Sequence, residues 1–199
     1  MMNSTGCRPF TKQEIELIHS QFDGRYQTRD RALFTLALKT GYRVSELLSI
    51  RVCDVFANGQ MKDEVTVAAC WMKGGKASRN CPLNETASNA LEEWLRESKM
   101  THPLFAQWPL FPAQGKQKAI TTRQAFRILL DAVVRAGVDS KRVGFHSCRK
   151  SYAMACFNHP LIAGSLPKMS KLLGHRNPSN TLRYLEWLNG DLERAVMEI

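Results

Sequence analysis

The sequence predicts a mainly α-helical domain with one small antiparallel β-hairpin, an α+β fold, on three observations. Capped runs with apolar residues at three- and four-residue spacing recur along most of the chain. Alternation of the strand type is confined to "EVTVAACWMKGGKASRNCPL", where Val65, Val67 and Ala69 alternate with Thr66, Ala68 and Cys70. A Gly-Gly pair at 74–75 separates that run from "SRNCPL", as a hairpin turn would.

Each element has its own local reason. In "FTKQEIELIHSQF" the Thr11 and Glu14 pair has capping-box spacing, and Ile15, Leu17 and Ile18 supply an apolar face, so a helix is expected over about 12–22. "TRDRALFTLALKTG" puts Ala32, Leu33, Leu36 and Ala37 at helical spacing and stops at Gly41. "VSELLSIRVCDV" restarts as a short helix with Ser45 as its expected cap. After the hairpin, "NETASNALEEWLRESK" is helical, and the Pro-rich stretch 102–118 reads as an irregular loop and a possible boundary. "TTRQAFRILLDAVVRAG" is a capped amphipathic helix ending at Gly137. Helices are expected near 146–158, 167–174 and 179–188, followed by a short tail, "GDLERAVMEI", and no internal repeat is visible.

Size and charge bound the function. A chain of 199 residues, 44% hydrophobic and 23% charged, can bury a substantial core and matches globular rather than disordered composition. Lys and Arg number 28 against 18 Asp and Glu, a net charge of +10, and this excess suits a polyanionic partner because basic side chains displace counterions from phosphates. The six cysteines, Cys7, Cys53, Cys70, Cys81, Cys148 and Cys156, show no C-x-x-C spacing and sit in apolar surroundings, so they read as reduced structural thiols with no metal site. "MMNSTGCRPF" lacks an apolar signal core and no apolar run reaches membrane-spanning length, so a cytoplasmic protein is expected, with no membrane partner.

Five polar signals remain: "TGYRVSEL" with Arg43 and Glu46, "WMKGGK" with Lys73, "FHSCRKSYA" with His146 and Arg149, "LLGHR" with His175, and Tyr184. Arg43 follows a glycine at a helix junction, and His146 and Arg149 stand three apart on one helical face. Taken singly, each has an ordinary explanation: a surface cap, a satisfied core histidine, a helix C-cap, a packed phenol, a solvated lysine. Taken together they supply two guanidiniums, an ammonium, two imidazoles and a phenol, without a carboxylate pair or a metal-ligand cluster. This is the kit that phosphodiester chemistry requires. Guanidinium forks match the nonbridging oxygens and oppose the charge of a pentavalent transition state. A tyrosine oxygen can attack phosphorus and conserve the bond for religation, while a lysine protonates the leaving oxygen.

With "TGYRVSELLSI", "KGGK" in a hairpin, "HSCR" and "LLGH" nine residues ahead of Tyr184, the sequence resembles the catalytic domain of the tyrosine recombinases, the lambda-type phage integrase family, over roughly residues 10–190. The resemblance implies the tyrosine recombinase catalytic-domain fold and assigns Tyr184 as the nucleophile of a 3′-phosphotyrosyl intermediate. It also implies that Arg43 and Arg149 hold the scissile phosphate, that His146 and His175 bond the same phosphate and assist proton transfer, that Lys73 is the general acid, and that Glu46 supports Arg43. Lys76 lies three residues beyond Lys73 and leaves the identity of the acid open. Where the family often has H-x-L-R-H-[ST], this chain has Cys148 and Lys150.

Carried over in the same way are double-stranded DNA as partner, a homotetramer on DNA, possible accessory DNA-bending proteins, no cofactor, and nucleoid association when bound. The expected organisation is a single catalytic domain over 1–199 without an N-terminal core-binding domain, a build similar to the short fimbrial inversion recombinases. Two rival readings use the same residues: a type IB topoisomerase acting as a monomer, and a DNA-binding regulator of the same fold that performs no chemistry.

Overall fold

The computed structural model describes residues 6–71, 78–114, 117–162, 165–174, 179 and 181–182. Its elements run α1 (Lys12–His19), α2 (Gln27–Thr40), α3 (Val44–Leu47), α4 (Val52–Val55), β1 (Phe56–Ala57), β2 (Gln60–Met61), β3 (Glu64–Val67), β4 (Arg79–Pro82), α5 (Glu85–Glu97), α6 (Thr122–Arg135), α7 (Phe145–Phe157) and α8 (Leu166–Leu173). The mainly helical fold with a small antiparallel hairpin is therefore as the sequence leads one to expect.

The central element is α2, whose Ala32, Leu33, Phe34, Leu36 and Ala37 are all buried and which packs chiefly on α5 and α7. A helix apolar on so much of its circumference has to be enclosed by others. Phe34 meets Phe10 edge-on at 6.3 Å and Phe22 at 5.5 Å, which ties the N-terminal segment to the same core. Leu110 and Phe111, within the Pro-rich stretch, are fully buried there too, and the Trp94 indole donates to the Leu110 carbonyl at 2.8 Å. That stretch is thus threaded into the core rather than acting as a boundary. A smaller cluster of Ala153, Met169 and Leu173, with Tyr152 and Phe157 beside it, joins α8 to α7.

Local chemistry accounts for the element ends. Thr11 and Glu14 form the expected capping box on α1, and Thr121 with Gln124 forms another on α6. The cap of α3 differs from expectation. It is Arg43, not Ser45, and its backbone N–H donates to Glu46 Oε2 at 2.8 Å. The same arrangement recurs at α4, where Arg51 N–H donates to Asp54 Oδ2 at 2.7 Å. A carboxylate at the third helical position satisfies an otherwise orphaned donor in both places.

β3 pairs with β4 in the register Val65↔Cys81 and Val67↔Arg79, so Val65, Val67, Cys81 and Arg79 face inward. Ala69–Trp71 is a 3₁₀ turn and not a continuation of β3, and Cys70 is exposed, unlike the core-like place expected for it. A second two-stranded sheet pairs β1 with β2 across Asn58 and Gly59, both at positive φ, the requirement of a type I′ turn. The 74–75 turn lies outside the described residues, as does most of the expected helix 179–188. Among the described residues no helix is long and apolar enough to cross a membrane.

Gly41 ends α2 in the left-handed region at φ 58°, and a Cβ built on it would stand 2.4 Å from Cδ1 of Tyr152. Both the backbone and the space therefore require glycine. Gly41→Ala should lower unfolding free energy by about 2 kcal/mol or more. Urea denaturation checks this, and an unchanged midpoint would show that the Tyr152 ring yields without strain.

Candidate active site

Three of the sequence-selected residues are brought together from distant parts of the chain by two helix junctions. Arg43 stands where α2 turns into α3, and its guanidinium Nη1 donates to Glu46 Oε1 at 2.6 Å. Glu46 is almost fully buried while the Arg43 side chain keeps 25% of its exposure, so the carboxylate braces an arginine whose charge still reaches solvent. His146 and Arg149 lie on the first turns of α7, which starts at Gly144 with its N–H capped by Ser147 Oγ at 3.1 Å.

Arg149 has the largest of the fully buried side chains, at 1% exposure. Its Nη1 donates to the Gly41 carbonyl and its Nη2 to the Leu173 carbonyl. These acceptors belong to the carboxyl ends of α2 and α8, where the last carbonyls lack helical partners and the helix dipole is negative. The guanidinium is thereby tied to a residue two positions before Arg43 and to the end of α8. Five donors in a rigid fork suit Arg, and no Lys, to this double attachment.

His146 keeps an exposed face, yet its pKa is lowered below the ordinary value of 6.5. Partial desolvation is the main cause, and the Arg149, Arg43 and Lys150 charges add to it. The influence of both arginines on one imidazole places all three groups in a common electrostatic field. A neutral ring there can accept a proton or donate one hydrogen bond, which suits it to a phosphate oxygen or to a phenol losing its proton. Lys150 is a third cation of the cluster, and Cys148 is an inert filler whose thiol is held protonated by complete burial.

Lys73, Lys76, His175 and Tyr184 lie outside the described residues. The described residues nevertheless lead up to them: β3 and β4 bracket Lys73 and Lys76 in sequence, α8 ends at Leu173 with Gly174 as its left-handed cap, and Thr181, three residues before Tyr184, is buried with its Oγ1 2.7 Å from Ser170 Oγ on α8. Two other tyrosines, Tyr42 and Tyr152, serve as packing. The Tyr42 hydroxyl donates to the Arg79 carbonyl at 2.6 Å, and burial pushes the Tyr42 and Tyr152 phenols well above their usual range.

One residue at the site escaped the sequence reading. Arg79, the first residue of β4, is 8% exposed, lies with its Cζ 4.4 Å over the Tyr42 ring, and donates through Nη2 to the carbonyls of Thr40, at 2.8 Å, and Leu172. The signal that could have found it is the strand period: Arg79 shares a face with Cys81, the inward face of "SRNCPL".

Against known proteins, residues 8–189 match the model of the Phage integrase family. The chain is similar to tyrosine recombinase XerC of Caldanaerobacter subterraneus, 27% identical over 94% of this chain and 49% of that one. It is likewise similar to tyrosine recombinase XerD of Rickettsia bellii, 30% identical over 85% of this chain and 55% of that one. The chain thus spans about half the length of the curated relatives it matches. Among solved structures, XerH site-specific recombinase bound to palindromic difH substrate, a post-cleavage complex, superposes with a TM-score of 0.72 at 22% identity, over 95% of this chain and 52% of that one.

The lowered His146 value has a measurable sign. A ring with its folded pKa below its unfolded one contributes stability that is complete above about 6.5 and is lost as the pH falls through the folded value. An NMR titration should place the His146 midpoint below 6.5 in the free protein and raise it when an anion neutralises the neighbouring cations. A midpoint at or above the ordinary value would mean that neither the burial of the ring nor the neighbouring cations act on it as described.

Proposed function

This chain belongs to the Phage integrase family, and from that premise we propose that it is a site-specific DNA recombinase that cleaves and rejoins DNA through a 3′-phosphotyrosyl intermediate at Tyr184. The observation that carries the reading is the bond from Arg149 Nη1 to the Gly41 carbonyl, two residues before Arg43, which joins the start of α7, with His146 and Arg149, to the α2–α3 junction. Three groups so placed can grip the nonbridging oxygens of one phosphate and stabilise the charge gained in its transition state. The match to residues 8–189 extends across Lys73, His175 and Tyr184, which supports assigning the remaining roles to them.

In the proposed step the Tyr184 oxygen attacks phosphorus and gives up its proton with the help of His146 or His175. The bond from phosphorus to the 5′-oxygen breaks, and Lys73 on the hairpin, or Lys76 beside it, delivers a proton to that oxygen. A 3′-phosphotyrosine and a free 5′-hydroxyl result, and the reverse sequence on a new 5′-hydroxyl rejoins the strand. The choice of tyrosine is supported by what the others do: Tyr42 is buried and Tyr152 half-buried, both held protonated by desolvation, and Tyr26 lies against the Arg25 and Arg29 guanidiniums.

Duplex DNA as the substrate is supported by the net charge of +10 and by the likeness to XerH, a site-specific recombinase whose structure holds its difH substrate. A groove of about 490 Å³ beside α3, lined by Ser45, Ser49, Arg51, Trp71, Gln107 and Lys118, offers hydroxyls, cations and an aromatic face to a backbone. A homotetramer that exchanges strands, aided by DNA-bending proteins, completes the proposal.

The test is a suicide-substrate assay. Wild type and Tyr184→Phe are incubated, without metal, with nicked duplexes drawn from the flanks of the gene and scored for a covalent protein–DNA band. The expected outcome is a band with wild type that disappears in Tyr184→Phe. A band that survives the substitution would contradict the assignment, and relaxation of supercoils on any sequence would favour a type IB topoisomerase instead.

A further inference from the structure

Arg79 and Arg149 make parallel attachments. Arg79 bridges the carbonyls of Thr40 and Leu172, and Arg149 bridges those of the next residue in each helix, Gly41 and Leu173. Two guanidiniums thus join the carboxyl end of α2 to the carboxyl end of α8. The first helix end leads directly to Arg43, and the second leads, two residues after Leu173, to His175.

Stability alone does not account for Arg79. Among the described residues its Nη1 is buried without a hydrogen-bond partner, a cost that an apolar side chain of similar length stacked on Tyr42 would avoid. What the guanidinium provides, and such a side chain would not, is the pair of bonds to Thr40 and Leu172. Unlike Arg149, Arg79 approaches from β4, so it links the strand that follows Lys73 in sequence to both helix ends at once.

We propose that Arg79 is a positioning residue for the reaction: it holds the end of α8 against the end of α2 and so sets the chain entering His175 in register with Arg43 and Arg149. The inference rests on the recombinase reading for its catalytic consequence, while the clamp itself is a statement about the free protein.

The experiment compares wild type with Arg79→Met, which keeps the stack on Tyr42 but has no donors, and Arg79→Lys, which keeps the charge. Single-turnover cleavage of the nicked duplex at saturating protein is measured beside DNA affinity by fluorescence anisotropy. Arg79→Met should bind DNA within about threefold of wild type and cleave it roughly 10- to 100-fold more slowly, the size expected for misplacement of a reacting group by about an ångström. Arg79→Lys should recover part of that loss. Combined with His175→Ala, the Arg79 substitution should add little further slowing, because both act at the same place.

Cleavage by Arg79→Met at the wild-type rate, or a loss that multiplies fully with that of His175→Ala, would overturn the proposal. If Arg79→Met does not fold, Arg79→Lys carries the same comparison. Amide exchange separates this inference from the recombinase reading: in Arg79→Lys, exchange over 166–174 should rise while that of α5 stays unchanged, whether or not any duplex is cleaved. Unchanged exchange over 166–174 would refute the clamp even in an active enzyme.

Discussion

The burial of the Arg149 charge is the constraint from which the rest of the site follows. Removing a guanidinium from water costs several kcal/mol unless its donors are met, and here two of them are met by the carbonyls of Gly41 and Leu173. Those carbonyls are among the groups that helix ends leave unpaired, so one contact resolves two deficits. It also dictates topology. α2 must stop at Gly41 in a left-handed turn, Tyr152 must pass close beneath that turn, and α8 must end where its last carbonyls reach the same point.

Holding an arginine by neutral carbonyls has an electrostatic consequence. Those carbonyls orient the guanidinium without cancelling its charge, whereas Glu46 both orients Arg43 and offsets part of its charge. Together with Lys150 these cations favour the neutral form of His146. A phosphate arriving among them would meet positive charge from several directions. Because the cations are fixed before the anion arrives, little reorganisation is left for the reaction itself.

Much of the architecture was legible from local signals. The capping box at Thr11, the capped start of α6, the stop at Gly41 and the alternation of Val65 and Val67 need only local chemistry, and they lie where expected, although β3 ends at Val67 rather than running on to Cys70. The β1–β2 hairpin was missed although Asn58-Gly59 is a strong turn signal, because strands of two residues leave no alternation to count. Ser45 is the cap that side-chain chemistry favours, while the actual cap comes from the reciprocal carboxylate of Glu46 on the Arg43 N–H. The roles of Arg43, His146 and Arg149 came from the resemblance to a family. That they meet depends on long-range packing of α2 against α7, which no local pattern contains. Arg79 is not legible locally because an arginine between Ser78 and Asn80 resembles a surface group, and only pairing with β3 turns it inward.

The central claim is that Arg43, His146 and Arg149 form one phosphate-binding centre, and the most direct test is to place an oxoanion in it. Crystals of the protein soaked in tungstate should give an anomalous peak within hydrogen-bond distance of all three side chains. A peak only at other arginines, such as Arg29 or Arg127, or none at all, would contradict the account.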